Sequence, residues 1–250
     1  MNDDQKNALD FLLYSYFSFS SKNITEETAD AIARRIIERA YRDASSHVLS
    51  IQSNDPHEKA VDQILTRLNR LCEHEKCTYD TWHRNLCSSL DSIYKKARCT
   101  WGESNGKPLK FSYGIAQKWV NMTMKYMTIT ADLCALLIDS DQAPAFLKQY
   151  GEMIDHHRCA FHAPVDRYII DAAGRAFSNI ELPTDPEKGP LKRPLQNYKY
   201  PSDYVKPWSK WDHKMYMRFY ASLRKNLTDS SPLDWEGPAW IEQAKRRNGK

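Results

Sequence analysis

The chain has 250 residues, 41% hydrophobic and 12% aromatic, which is enough for one large domain or two small lobes. With only eight glycines and few β-branched runs it reads as mostly helical, and a net charge of +4, spread over mixed acids and bases, permits nucleic-acid binding without requiring it. No apolar run approaches the roughly 20 residues of a membrane span, and the start MNDDQKNALDFLLYSYF lacks the basic region and cleavage site of a secretory signal.

In chain order, Leu9, Leu12, Leu13 and Tyr16 share one face of residues 5–19 and predict a first helix. Thr25, followed by Glu26 and Glu27, offers a capping hydroxyl and acids that suit a helix dipole. A second helix is therefore expected to start there and to run through Ile32, Ile36, Ile37, Ala40, Tyr41 and Ala44 to about Leu49. Asn54-Asp55-Pro56 opens a third helix, through Val61, Ile64, Leu65, Leu68 and Leu71. A fourth runs from Thr78 to about Ala97, with Trp82, Leu86, Leu90, Ile93 and Tyr94 on one face. Residues 100–110 read as a loop. Two apolar helical pieces follow, 111–127 and 131–138, then a helix over 141–154 with Pro144 in its first turn, and another over 165–177. Residues 181–207 carry six prolines and form a long irregular connection, ordered by its tyrosines against the body of the protein. Helices over 210–227, with Trp211, Met215, Phe219 and Leu223 on one face, and over 238–246 complete the chain before a basic tail. The six cysteines (72, 77, 87, 99, 134 and 159) do not look like a disulfide framework, so reduced thiols in a cytosol are expected.

Two stretches carry chemistry. FSYGIAQKWVNMTMKYM (111–127) puts Lys118 just inside a helix, after a glycine-containing turn, and FHAPVDRYII (161–170) puts Asp166 at a helix start behind Pro164. A lysine is a nucleophile once neutral, and a carboxylate can stabilise positive charge and move protons. The plainer readings are a surface lysine at a helix start and an ordinary N-cap. Lys125, two turns beyond Lys118 on much the same face, is the fallback amine.

Gly114-Ile115-Ala116-Gln117-Lys118, leading into an apolar helix, resembles the second half of the helix-hairpin-helix motif of DNA glycosylases, and Pro164-Val165-Asp166 resembles the aspartate segment that follows it there. With the all-helical setting, the chain is similar to the endonuclease III and 8-oxoguanine glycosylase superfamily. The resemblance implies an all-α, two-lobed fold with a central cleft, in one glycosylase-like domain: a helical lobe over about 1–100, a hairpin and catalytic lobe over about 101–180, and C-terminal elements packing back. It implies that Lys118 attacks C1′ of a flipped nucleotide, that Asp166 is the assisting carboxylate, and that the backbone of Gly114, Ile115, Ala116 and Gln117 grips phosphate. It implies a double-stranded DNA partner with a damaged or modified base, no cofactor, and a monomer. Base flipping calls for an aromatic pocket, for which Trp101, Tyr113, Trp119, His162, Trp208 and Trp211 are the candidates. Two departures stand out: Ala116 replaces the second hairpin glycine, and Lys118 and Asp166 lie 48 residues apart, which needs an inserted helix such as 141–154. The absence of four closely spaced C-terminal cysteines argues against an iron–sulfur cluster.

Cys72, His74, Cys77, His83 and Cys87 fit no tight Cys-x2-Cys pair, and no metal is expected. His162 is read as a structural loop histidine or a DNA contact. The leading expectation is a glycosylase with abasic-site lyase activity, in repair or in defence against modified phage DNA. The alternative is a helical protein that binds DNA or a protein partner without catalysis.

Overall fold

One long helix organises the rest. The structure, a computed structural model, describes residues 2–45, 55–73, 77–97, 103–104, 107–108, 111–137, 143–228 and 230–249. Among these the fold is all-α: α1 (Asp3–Phe17), α2 (Ser21–Glu26), α3 (Ala29–Ser45), α4 (Asp55–Cys72), α5 (Tyr79–Ala97), α6 (Tyr113–Leu137), α7 (Ala145–His157), α8 (Arg167–Ala176), α9 (His213–Asn226) and α10 (Pro232–Arg247). The exception is a two-residue antiparallel pair, β1 (Glu103–Ser104) with β2 (Lys107–Pro108), inside the stretch expected to be a loop. No described helix is long and apolar enough to cross a membrane.

Helix α6 joins two pieces that the sequence suggested were separate. It is apolar nearly all round, as a helix in the middle of a core must be. Thr123 and Thr128 do not break it, because their hydroxyls donate to the carbonyls of Trp119 and Met124 one turn back, both at 3.0 Å. α6 packs chiefly against α3 and α5, and also touches α1, α2, α7 and α9. The indole of Trp119 is fully buried and donates to the Ile37 carbonyl of α3 at 2.9 Å. A single hydrophobic core runs from Leu13 to Leu233.

Several boundaries differ from the sequence reading. Thr25 lies inside the short α2, which Ser20 caps. α3 starts instead behind Thr28, whose hydroxyl accepts from the Ala31 N–H. The reason is tertiary: Ser18, in the left-handed conformation at φ 62°, ends α1, and the chain then buries Phe19 and Ile24. The apolar face of α1 is only partly in the core. Leu13 is buried, whereas Leu12 and Tyr16 are exposed. Pro144 caps α7 rather than sitting within it. α10 begins well before Pro238, where Ser231 caps the Asp234 N–H and Pro232 fills the first position. The expected end of the second helix near Leu49, along with Cys99, Trp101 and His74, lies outside the described residues.

The basic tail is not a free end. Arg247 places two nitrogens on the buried carboxylate of Asp171, at 2.6 and 2.8 Å, and its guanidinium lies 4.1 Å over the Tyr200 ring. Asp171 also accepts from the Ser202 N–H at 2.8 Å. This one carboxylate ties α8, the proline-rich connection and the end of α10 together. Within that connection Tyr198 is buried and packs on Tyr204 at 4.0 Å.

Gly114 has a structural task. Its N–H donates to the Trp211 carbonyl at 2.9 Å, and the single-turn 3-10 helix Trp208–Lys210 lies directly on it. A Cβ at position 114 would overlap the Trp208 carbonyl oxygen, a backbone atom that cannot rotate away. Gly114→Ala is therefore expected to cost about 2 kcal/mol or more, the range for overpacking a tight site. A urea melt with an unchanged midpoint would show that this close approach is not needed.

Candidate active site

The chain leading into α8 crosses α6 near its start, and two amides fix the crossing. Gln117 donates from Nε2 to the Gly114 carbonyl at 2.8 Å and to the Val165 carbonyl at 3.4 Å. Asn121, one turn on, donates from Nδ2 to the Ala163 carbonyl at 2.9 Å and to Gln117 Oε1 at 3.0 Å. Both side chains are fully buried in an otherwise apolar helix, where leaving such groups unpaired would be costly. Backbone 163–165 is thereby held against α6, and Asp166 comes next in the chain.

Asp166 divides its two oxygens. Oδ1 caps α8, accepting from the N–H groups of Tyr168 and Ile169 at 2.9 and 3.1 Å. Oδ2 faces outward, accepts from the Trp240 indole at 3.2 Å and lies 3.6 Å from Lys118 Nζ. Lys118, between Gln117 and the buried Trp119, points from α6 to the same spot. At 3.6 Å the pair is in ionic contact but beyond hydrogen-bond length. The ammonium also lies 4.8 Å over the Trp208 ring. The two side chains are only 12% and 16% exposed.

Both open onto one cavity of about 720 Å³. One wall is apolar, with Leu9, Leu13, Met122 and Ile129 among its residues, while Tyr168 and Trp240 supply aromatic surface. A second ion pair, Lys125 Nζ to Glu236 Oε2 at 2.6 Å, lines the same space. At a further edge the Asp43 carboxylate accepts from the hydroxyls of Tyr16 and Tyr126. Burial raises the Glu236 carboxyl above its usual range, opposed by Lys125. A cavity of this size suits a drug-sized ligand, with polar groups grouped to orient it.

The other expected site residues lie elsewhere. Gly114, Ile115, Ala116 and Gln117 are not an open hairpin but the buried first turn of α6. Their amides are already used: Gly114 on Trp211, and Ile115 and Ala116 on the Ser112 carbonyl at 3.1 and 3.0 Å. The expectation that this backbone grips phosphate is corrected on that ground. Trp119 and Trp211 are core residues, each indole N–H bound to an internal carbonyl, Ile37 at 2.9 Å and Lys206 at 2.7 Å. Tyr113 is buried edge-on to His213. Trp208 lies against Lys118. The aromatic surface of the cavity beside Asp166 comes instead from Trp240 and Tyr168, neither of them a pocket candidate from the sequence, and Tyr16, Phe17 and Tyr126 line its far side.

His162 belongs to a buried chain beneath the site. Its Nδ1 meets the Tyr216 hydroxyl at 2.8 Å and its Nε2 meets Asp80 at 2.9 Å. Tyr216 also contacts Asn121 at 3.0 Å, and Asn121 Oδ1 faces His83 Nε2 at 2.8 Å. Hydrogen bonds therefore run from Asp80 to the amide that holds Ala163. Cys87 sits beside His83, and no group of three or more His, Cys, Asp or Glu side chains among the described residues could hold a metal.

Burial pushes His162 down to about 4, against the opposing pull of Asp80, and also lowers His83. Such groups are neutral when folded but take up protons near pH 6.5 when unfolded. Stability from His162 is thus complete above about pH 6.5 and is lost as the pH falls toward 4, by roughly 3 kcal/mol. Urea midpoints measured from pH 7.5 to 4.5 are expected to drop, and to drop less in His162→Gln. An equal drop in the variant would mean that His162 is not the source.

Comparison with protein families, with curated proteins and with solved structures finds no match to this chain.

Proposed function

We propose that this chain is a DNA glycosylase that releases a damaged or modified base through the Lys118 amine and carries an abasic-site lyase activity. The observation that carries this reading is the convergence of Lys118 Nζ and Asp166 Oδ2, 3.6 Å apart, on one cavity with aromatic walls. An amine able to attack carbon must first lose a proton, which passes to water and leaves Asp166 ionised beside the amine. The neutral amine then bonds to C1′ of a flipped nucleotide while the C1′–N bond breaks and its electron pair leaves with the base. Asp166 faces the positive charge that develops on the sugar, and its capped Oδ1 keeps Oδ2 aimed at that point. Opening of the sugar ring yields a Schiff base on Lys118, from which loss of the C2′ proton and the 3′ phosphate cleaves the strand. Flat aromatic surface at Trp240 and Tyr168 suits an unstacked base.

The spent amides of residues 114–116 favour a second reading, a helical binding protein with a Lys–Asp pair in its pocket and no catalysis. The two are separated by borohydride reduction in the presence of duplex DNA bearing an abasic site. The enzyme forms a covalent adduct that Lys118→Gln lowers about 100-fold or more, as loss of a nucleophile should. Asp166→Asn, which can still cap α8, is expected to slow the reaction about 100-fold with little change in melting temperature. No adduct from the wild-type protein would remove the lysine chemistry and leave the binding reading.

A further inference from the structure

Lys118 and Lys125 are seven residues apart on α6, so both face the cavity, about 10 Å apart along the helix axis. On α10, Glu236 and Trp240 are one turn apart and face the same space. Trp240 meets the first pair through Asp166 and Glu236 meets the second through Lys125, so α6 and α10 carry two rungs across the cavity. The first rung holds amine, carboxylate and indole. The second holds a buried carboxylate, Glu236, bound at 2.6 Å to an ammonium that is 24% exposed at the cavity. A charge pair of this kind serves helix packing poorly by itself, since desolvation offsets much of the attraction. Between the rungs lies Met122, an apolar spacer in the same cavity.

The geometry points to Lys125, held by Glu236, as the group that receives the departing base. This inference rests on the reading that Lys118 attacks C1′. With the sugar at Lys118, a flipped base extends along the α6 face toward Lys125. When the C1′–N bond breaks, the base takes the electron pair and becomes an anion. The Lys125 ammonium hydrogen-bonds an acceptor on the outer edge of that anion and hands it a proton. Lys125 then regains a proton from water, and Glu236 keeps the side chain in place before and after the transfer. The substrate class that follows is a base with a carbonyl oxygen or ring nitrogen on the edge away from the sugar. A charge that matters only as the bond breaks acts on the transition state, so it speeds release without tightening ground-state binding.

The test compares two reactions of the same protein. One is base release from duplexes carrying 8-oxoguanine, uracil, hypoxanthine, thymine glycol or 5-hydroxymethylcytosine. The other is borohydride trapping on an abasic duplex, where no base remains to leave. Lys125→Met and Glu236→Gln are expected to lower release of the accepted base by roughly 100-fold, and trapping by far less. Lys125→Arg, which keeps a cation on Glu236, is expected to restore part of the release. If a variant loses release and trapping in parallel, or neither, the assignment fails. It fails too if the wild type traps abasic DNA yet releases none of the five bases. Should Glu236→Gln not fold, the Lys125→Met and Lys125→Arg pair decides. A wild type that forms no trapped adduct removes the Lys118 chemistry itself, a different outcome from parallel loss.

Discussion

The candidate site depends on two buried carboxamides. Gln117 and Asn121 bond to the backbone of residues 163–165, which lies far off in sequence, and so fix Asp166 against α6. Each carboxamide is costly to bury unpaired and places one of its hydrogen bonds on this segment. Beneath them, His83, Tyr216, His162 and Asp80 extend the same hydrogen-bond chain to α5 and α9. The spacing of Lys118 from Asp166 is thus a property of the core rather than of two surface side chains. The long separation in sequence is filled by the rest of α6 and by α7, which pack around the same centre.

Above this rigid base the cavity is built from parts with different constraints. α6 supplies both lysines at fixed helical spacing. α10 supplies Glu236 and Trp240, and its far end is pinned through Arg247 to the buried Asp171. α1 supplies part of the apolar wall, beside Met122 and Ile129 of α6, with Leu12 and Tyr16 left substantially exposed. Both ion pairs therefore lie between α6 and α10, with apolar surface beside them and the Asp43 carboxylate at the far edge. That division suits a ligand with one polar, reacting end and one flatter, less polar end.

Much of the helical framework was legible in the sequence. α3, α4 and α5 carry apolar residues at regular helical spacing, and that pattern survives folding because each lays one stripe on the core. Lys118 and Asp166 could be picked out from their residue types beside a glycine turn and a proline. The role of Gly114 could not, because the close approach that requires it comes from Trp208, far along the chain. The split between α2 and α3 was hidden for a similar reason: burial of Phe19 and Ile24 outweighs the capping tendency of Thr25. Glu236 and Trp240 sat in a helix whose start was misplaced at Pro238, so their shared face was not visible. A usable signal did exist for the amides: Gln117 and Asn121, one turn apart in an apolar helix, demand polar partners.

The most direct measurement of the central claim is peptide mapping of the adduct formed with abasic DNA and fixed by borohydride. After nuclease and protease digestion, mass spectrometry locates the residual sugar. The account predicts that it sits on Lys118. Its presence on Lys125, on the N-terminal amine or on a lysine outside the cavity would contradict the assignment of the nucleophile and of the site built around it.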